Sequence, residues 1–355
     1  MNIRLERFQK RLAAEGLDGF LVLHSFNRNY LSGFSGSSGA LLAGKSRSSF
    51  LTDSRYTVQA GRQVKGAKVV LQTKALLVDA ATLIKAQGIK KLGFEALHVS
   101  FAAYQAMKNL LPGVVLVPFK DFPEKQRLVK EKTEKALMRQ AARITDATFS
   151  HILGHIRPGI RESDLAAEME HFMRLQGAAG PSFETIVASG WRSALPHGVA
   201  SDKKVAKGDM IVFDFGCIFE GYCSDMTRMA VVGPPSALQK KVYALVKRAQ
   251  QAGLDKIKAG RGCGVVDLAS RSIIARAGYG SKFGHSLGHG VGVEVHEEPR
   301  LGPGNKDVLE EGMAVTVEPG VYLEGKFGVR IEDLCLVTRS GHENLYESSK
   351  ELAVV

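Results

Sequence analysis

Cysteine is scarce in this chain of 355 residues: four occur, at positions 217, 223, 263 and 335, and no two form a CxxC pair. That excludes a disulfide framework and a cysteine-ligated zinc module, and the apolar flanks of three of the four mark reduced core residues. No run of about 18 apolar residues exists to cross a bilayer. The N-terminal segment MNIRLERFQKRLAAEG carries charges throughout an amphipathic helical pattern and has no apolar core of a secretory signal, so a cytoplasmic location is expected. HExxH is absent, which removes the zincin arrangement. There is also no RNP-like interleaving of aromatic and basic residues and no recognition-helix motif, despite a formal charge of +12. Residues 1–124 hold most of that excess, with 17 Lys and Arg against 8 Asp and Glu; the remainder has 31 against 28. The basic residues of the first part (Lys65, Lys68, Lys74, Lys85) are scattered singly, the pattern of a solvated face without a specific nucleic-acid partner.

With 45% hydrophobic residues the chain can bury a large core, and its length suggests two domains. Residues 1 to about 120 alternate helical and strand patterns and read as a small α/β domain. Pro123 and the charged run EKQRLVKEKTEK mark the crossing, so the domains are placed at 1–124 and 125–355. A long helix from about 131 ends at Arg157, Pro158 and Gly159; a second begins after Ser163, whose hydroxyl can cap it, and runs to Gly177. The order helix, strands, hairpin then occurs twice, with helices at 163–176 and around Val265–Ala277. Such a repeat predicts a pseudo-twofold axis between two halves.

Five potential metal ligands follow in the order Asp214, Asp225, His289, Glu318 and Glu332, each in a strand-like or glycine-flanked segment. IVFDFG, CIFEGYCS and DMTRMAVV predict a hairpin folded about residues 219 and 220 that sets Asp214 opposite Asp225. AVTVEPGVYL turns through Glu324, Gly325 and Lys326 and returns as GVRIEDLCLV, bringing Glu318 near Glu332. Adjacent carboxylates repel unless a cation lies between them. Several carboxylates with one imidazole suit two divalent ions of the Mn, Co or Zn type, held roughly 3.5–4 Å apart to activate a water.

The stretches LPHGVASDKKVAKGDMIVFDFGCIFEGYCSDMTR, HSLGHGVGVEVHEEPR and LEEGMAVTVEPGVYLEGKFGVRIED resemble the creatinase, prolidase and aminopeptidase P group of metallopeptidases. NRNYLSGFSGSSG and LTDSRY resemble that group's smaller first domain. The resemblance implies a pita-bread catalytic domain, the five residues above as metal ligands with Asp225 and Glu332 bridging, and a homodimer. It also implies hydrolysis of Xaa-Pro bonds from a free N-terminus, by a dipeptidase or by an aminopeptidase that takes longer chains. His197 in LPHG and His296 in VHEEP are then expected to flank the metals and act on the scissile carbonyl and leaving nitrogen, with Glu318 as proton acceptor. Phe183 and His296 are candidates for the proline site; Arg300 and Arg330 are placed to meet carboxylates, Arg330 more as an ion pair in the wall. The group often reads ASGPNSALPHG where this chain has ASGWRSALPHG, so Trp191 and Arg192 are expected to reshape the substrate entrance. His285 reads as structural, and His24, His98, His151, His155, His171 and His342 have no metal-like context. The alternative is a metal-free member, acting as a binding module or a creatinase-like hydrolase; its mark would be substitution at the ligand positions, and all five are intact.

Overall fold

The computed structural model describes residues 2–355 and divides into two compact units at Arg127/Leu128. The boundary expected after residue 124 falls at the head of a short helix, Glu124–Arg127.

The first unit is a six-stranded mixed sheet: β1 (Gly19–Val22), β2 (Ala40–Gly44), β3 (Ser48–Thr52), β4 (Lys68–Leu71), β5 (Lys91–Glu95) and β6 (Val115–Phe119), in the order β4-β3-β2-β1-β5-β6. Alternation along the strands gives it two apolar faces. Phe20, Val22, Leu41 and Ala43 pack with Leu5, Phe8 and Leu12 of α1 (Ile3–Ala14), whereas Leu21, Leu42 and Leu92 pack with residues of the later helices such as Ile84 and Met107. The helices are α2 (Ser25–Ser32), α3 (Thr57–Gln63), α4 (Leu76–Ala86), α5 (Phe101–Leu110) and α6, the short helix above. Buried Arg28 donates to the carbonyls of Gly36 and Gly39 at 2.7 and 2.8 Å, which fixes the glycine- and serine-rich loop after α2.

The second unit begins with two packed helices, α7 (Lys132–Leu153) and α8 (Glu162–Leu175). Helix α8 starts earlier than expected. Its N-cap is Arg161, whose N–H is accepted by Asp164, and Ser163 lies inside the first turn with its hydroxyl directed to Asp202. Strands β7 (Gly180–Pro181), β8 (Ile186–Ser189), β9 (Met210–Phe215), β10 (Cys217–Phe219), β11 (Tyr222–Cys223) and β12 (Met226–Val231) complete the first half. The second half repeats the order with α9 (Ala237–Leu254), α10 (Cys263–Arg276), β13 (Gly288–Gly290), β14 (Glu297–Leu301), β15 (Ala314–Val317), β16 (Gly320–Leu323), β17 (Phe327–Arg330), β18 (Asp333–Val337) and β19 (His342–Asn344). Short β20 (Ala353–Val354) returns to lie parallel to β12. The antiparallel trios β8-β9-β12 and β13-β15-β18 correspond, each preceded by a helix pair. This is the expected pita-bread architecture behind a smaller α/β domain. Among the described residues no helix is long and apolar enough to cross a membrane.

Candidate metal centre

The first hairpin is offset from its expected register. Its turn is Glu220–Gly221, with φ of 45° and 84°, the positive pair of a type I′ turn. Asp214 therefore faces Thr227 instead of Asp225. Moving the turn centre by one residue shifts the pairing by two, and a two-residue shift preserves the face. Asp225 thus remains on the same side as Asp214, diagonal to it. The second hairpin turns at Glu324–Lys326 as expected; Val317 pairs with Asp333 and Gly320 with Arg330, so Glu318 and Glu332 stand at opposed positions where the two ladders meet.

Thr227 lies at the centre of the contacts that join the hairpins. The N–H of Glu332 donates to the carbonyl of Thr227 at 3.1 Å, the Thr227 hydroxyl donates to Glu332 Oε2 at 2.7 Å, and Arg330 Nε donates to that hydroxyl at 3.0 Å. His289 comes in on β13, its N–H held by Thr316 Oγ1 at 3.0 Å. The glycines on either side permit this packing: a Cβ at Gly288 would lie 2.0 Å from the Thr316 carbonyl oxygen, and one at Gly290 2.2 Å from that of Glu298.

His289 Nε2 lies 3.5 Å from Asp225 Oδ2 and 3.3 Å from Glu318 Oε1, and one ligand atom each of Asp225, His289 and Glu332 fall within 4.8 Å of one another. Burial and the neighbouring acids push Asp225 and Glu332 well above the usual carboxylate range, and burial raises Asp214 in spite of its ion pair with Arg330. Glu318 goes the other way: burial opposes its ionisation, but the hydrogen bond and charge of His289 bring it below the usual range. For His289 burial opposes protonation, yet Glu318 and Asp225 raise it to about 9. Two carboxylate oxygens, Asp214 Oδ1 and Glu332 Oε1, are buried without a hydrogen-bond partner. Buried acceptors of this kind are costly unless a cation or donor meets them. Crowded acids, unpartnered oxygens and one imidazole fit a divalent cation site.

The remaining predicted residues lie around this cluster. The His296 ring packs edge-on against His289 with centroids 4.5 Å apart, and the charges of both His197 and Arg300 are felt at His296. His197 is exposed; the carbonyl before it, on Pro196, accepts from Arg330 Nη1 at 3.0 Å. Arg330 also donates to Tyr322 Oη at 2.8 Å, and His285 Nε2 lies 3.0 Å from the same phenol, so His285 belongs to the wall. Arg300 is exposed on β14. Phe183 is half-buried beside Ser182, whose hydroxyl donates to the carbonyl of Ser224, next to Asp225. Of the two departures in the loop, Trp191 is 54% exposed, while Arg192 is occupied by Glu162 and the Val199 carbonyl, which makes it a brace of the loop. Tyr346 carried no signal in the sequence. Its hydroxyl accepts the Asp225 N–H at 2.9 Å and donates to the Asp225 carbonyl at 2.6 Å.

Residues 136–339 match the metallopeptidase family M24, and residues 4–129 match the creatinase/prolidase N-terminal domain. The chain belongs to metallopeptidase family M24. Among this family's solved structures, an Xaa-Pro dipeptidase from Bacillus anthracis is 44% identical and superposes with a TM-score of 0.96 over 99% of both chains. An X-Pro aminopeptidase from Thermotoga maritima MSB8 is 38% identical, with a TM-score of 0.91 over 98% of this chain and 99% of that one. An Xaa-Pro dipeptidase of Pyrococcus horikoshii is 37% identical over 99% of each chain. As a member of this family with Xaa-Pro dipeptidases among its relatives, the chain is a metallopeptidase.

Proposed function

We propose that this metallopeptidase is a dinuclear exopeptidase that hydrolyses Xaa-Pro bonds at a free N-terminus, in which Asp214, Asp225, His289, Glu318 and Glu332 would hold the two metal ions. The observation that carries this reading is the convergence of four acids and one imidazole from both halves, with two buried carboxylate oxygens lacking any partner. Divalent ions of the Mn, Co or Zn type, when bound, supply a nucleophilic water near neutral pH and polarise the scissile carbonyl.

The protein's own groups do the rest. Glu318, kept ionised by His289, accepts the proton of the attacking water. His296 and His197, both exposed beside the cluster, serve the carbonyl oxygen and the leaving nitrogen. Arg330 fixes the orientation of Asp214 and anchors the His197 loop through Pro196. An Xaa-Pro bond has no N–H, so selection rests on the flat surfaces of Phe183 and His296 instead of a strand-like hydrogen bond. Arg300 makes no ion pair among the described residues and is available to a substrate carboxylate, which favours the dipeptide mode. The family resemblance supports a homodimer in the cytoplasm.

Rates on Ala-Pro, Ala-Pro-amide and Ala-Pro-Ala-Ala test this reading. Ala-Pro should be cleaved fastest, and Arg300→Ala should cut kcat/KM for Ala-Pro at least about tenfold while hardly affecting Ala-Pro-amide, since a charge-assisted contact of about 1.5–3 kcal/mol is lost only from the first. Equal rates on Ala-Pro and Ala-Pro-Ala-Ala would assign the aminopeptidase mode. Failure on all three, with Ala-Ala cleaved, would overturn the proline preference.

A further inference from the structure

Outside this centre, two clusters each combine two histidines with a glutamate, and they differ in what surrounds them. In the first unit, His24 and His98 stack with ring centroids 3.6 Å apart, and His98 Nε2 lies 3.3 Å from Glu124 Oε1. Burial, together with the positive fields of His98, Arg127 and Arg28, lowers His24 to about 4. A cluster exposed to two guanidinium groups opposes a cation.

The second cluster joins α7 to α8. His151 stands in the last turn of α7 and His155 just beyond its end, four positions on, so both imidazoles lie on one side of the helix axis. Glu168, from α8, meets them: its Oε1 is 2.7 Å from His151 Nε2 and 3.9 Å from His155 Nε2. His155 Nδ1 lies 3.1 Å from the His151 carbonyl oxygen. That nitrogen must carry the proton to make the bond, so in the neutral ring, the form that binds a metal, the Nε2 lone pair of His155 is turned toward Glu168. Phe172 stacks on His151 at 4.1 Å and 12° and fixes that ring. A hydrogen bond from His151 alone accounts for one imidazole; it gives no reason for a second one held with its lone pair toward the same oxygen. His151, His155 and His171 all act on Glu168 electrostatically, and the hydrogen bond from His151 is the largest of the effects that lower it.

We propose that His151, His155 and Glu168 form a divalent-cation site of the zinc class, separate from the peptidase centre. The three ligand atoms lie within 4.8 Å of one another. A tetrahedral zinc with bonds of roughly 2.0–2.2 Å sets neighbouring ligand atoms roughly 3.3–3.6 Å apart, so small side-chain rotations complete the geometry. The side chains are 27–40% exposed, which gives the ion a path in and leaves room for water in the fourth position. The bound ion would tie the end of α7 to the middle of α8.

Equilibrium dialysis of the full-length protein against Zn²⁺ tests the site, with bound metal counted in wild type, His155→Ala, Glu168→Gln, His98→Ala and Asp225→Asn. Wild type should hold one equivalent that His155→Ala and Glu168→Gln bind at least about tenfold more weakly and that His98→Ala and Asp225→Asn retain. Zinc should also raise the melting temperature of wild type more than that of His155→Ala. Unchanged zinc binding in both His155→Ala and Glu168→Gln would overturn the proposal, as would loss of the equivalent in His98→Ala. Circular dichroism checks each variant's fold; if one is unfolded, the other decides.

Discussion

The two hairpins that present the acids reach the same end by different repairs of the backbone. Each must interrupt its ladder where a carboxylate turns toward the centre, and each interruption strands a buried N–H that needs an acceptor. In the first hairpin the N–H of Asp225 goes to a side chain, the phenol of Tyr346, 121 residues away. In the second, the N–H groups of Glu318 and Glu332 go to the carbonyls of Leu287 and Thr227. One half of the site is therefore held by a group that a single substitution can delete. The other is held by main chain and is proof against such a change.

The largest effect should erase this difference. Asp225→Asn and Glu332→Gln each remove one charge from the centre, and each should lower peptidase activity at saturating metal by more than about 100-fold with the fold retained. Steady-state rates with metal analysis of the purified variants check this; more than a tenth of wild-type rate in either one would show that its hairpin is dispensable to the centre. Tyr346→Phe should expose the asymmetry. It strands the buried N–H of Asp225, costing about 1–3 kcal/mol in a denaturant titration, and should weaken metal binding by about 10- to 100-fold. Wild-type metal affinity in that variant would mean that Asp225 is positioned by its strand alone. Gly221→Val acts on the turn of the first hairpin, where φ is 84°; a branched side chain there should cost about 1–2 kcal/mol by the same titration. Smallest of all, Trp191→Ala should leave the unfolding free energy within about 0.5 kcal/mol, because the ring is more than half exposed, and should alter KM before kcat.

What the sequence disclosed, and what it hid, follows the same division. The second hairpin was legible because Glu324, Gly325 and Lys326 stand alone between two apolar runs. The first was displaced because its turn places Glu220 at positive φ, and Glu-Gly is a weaker type I′ signal than Asn-Gly or Asp-Gly. The acids and His289 stood out through their glycine and strand contexts. Their supports did not: Thr227, Tyr322 and Tyr346 are ordinary residues until folding brings their hydroxyls to Glu332, Arg330 and Asp225. Arg192 was read as part of the entrance because its partner, Glu162, lies 30 residues earlier on another element. His151 and His155 read as having no metal-like context because Glu168, which meets them both, comes from a different helix.

The contact between Thr227 and Glu332 spans 105 residues. Contacts so distant in sequence close late, after the nearby pairings have formed, since the loop entropy they cost must be met by structure already in place. During synthesis the first acid pair therefore emerges well before the second exists, and before Tyr346, which holds Asp225. For that interval the chain carries half a centre, two acids without their counterparts, and a nascent chain halted before Glu318 has no peptidase site.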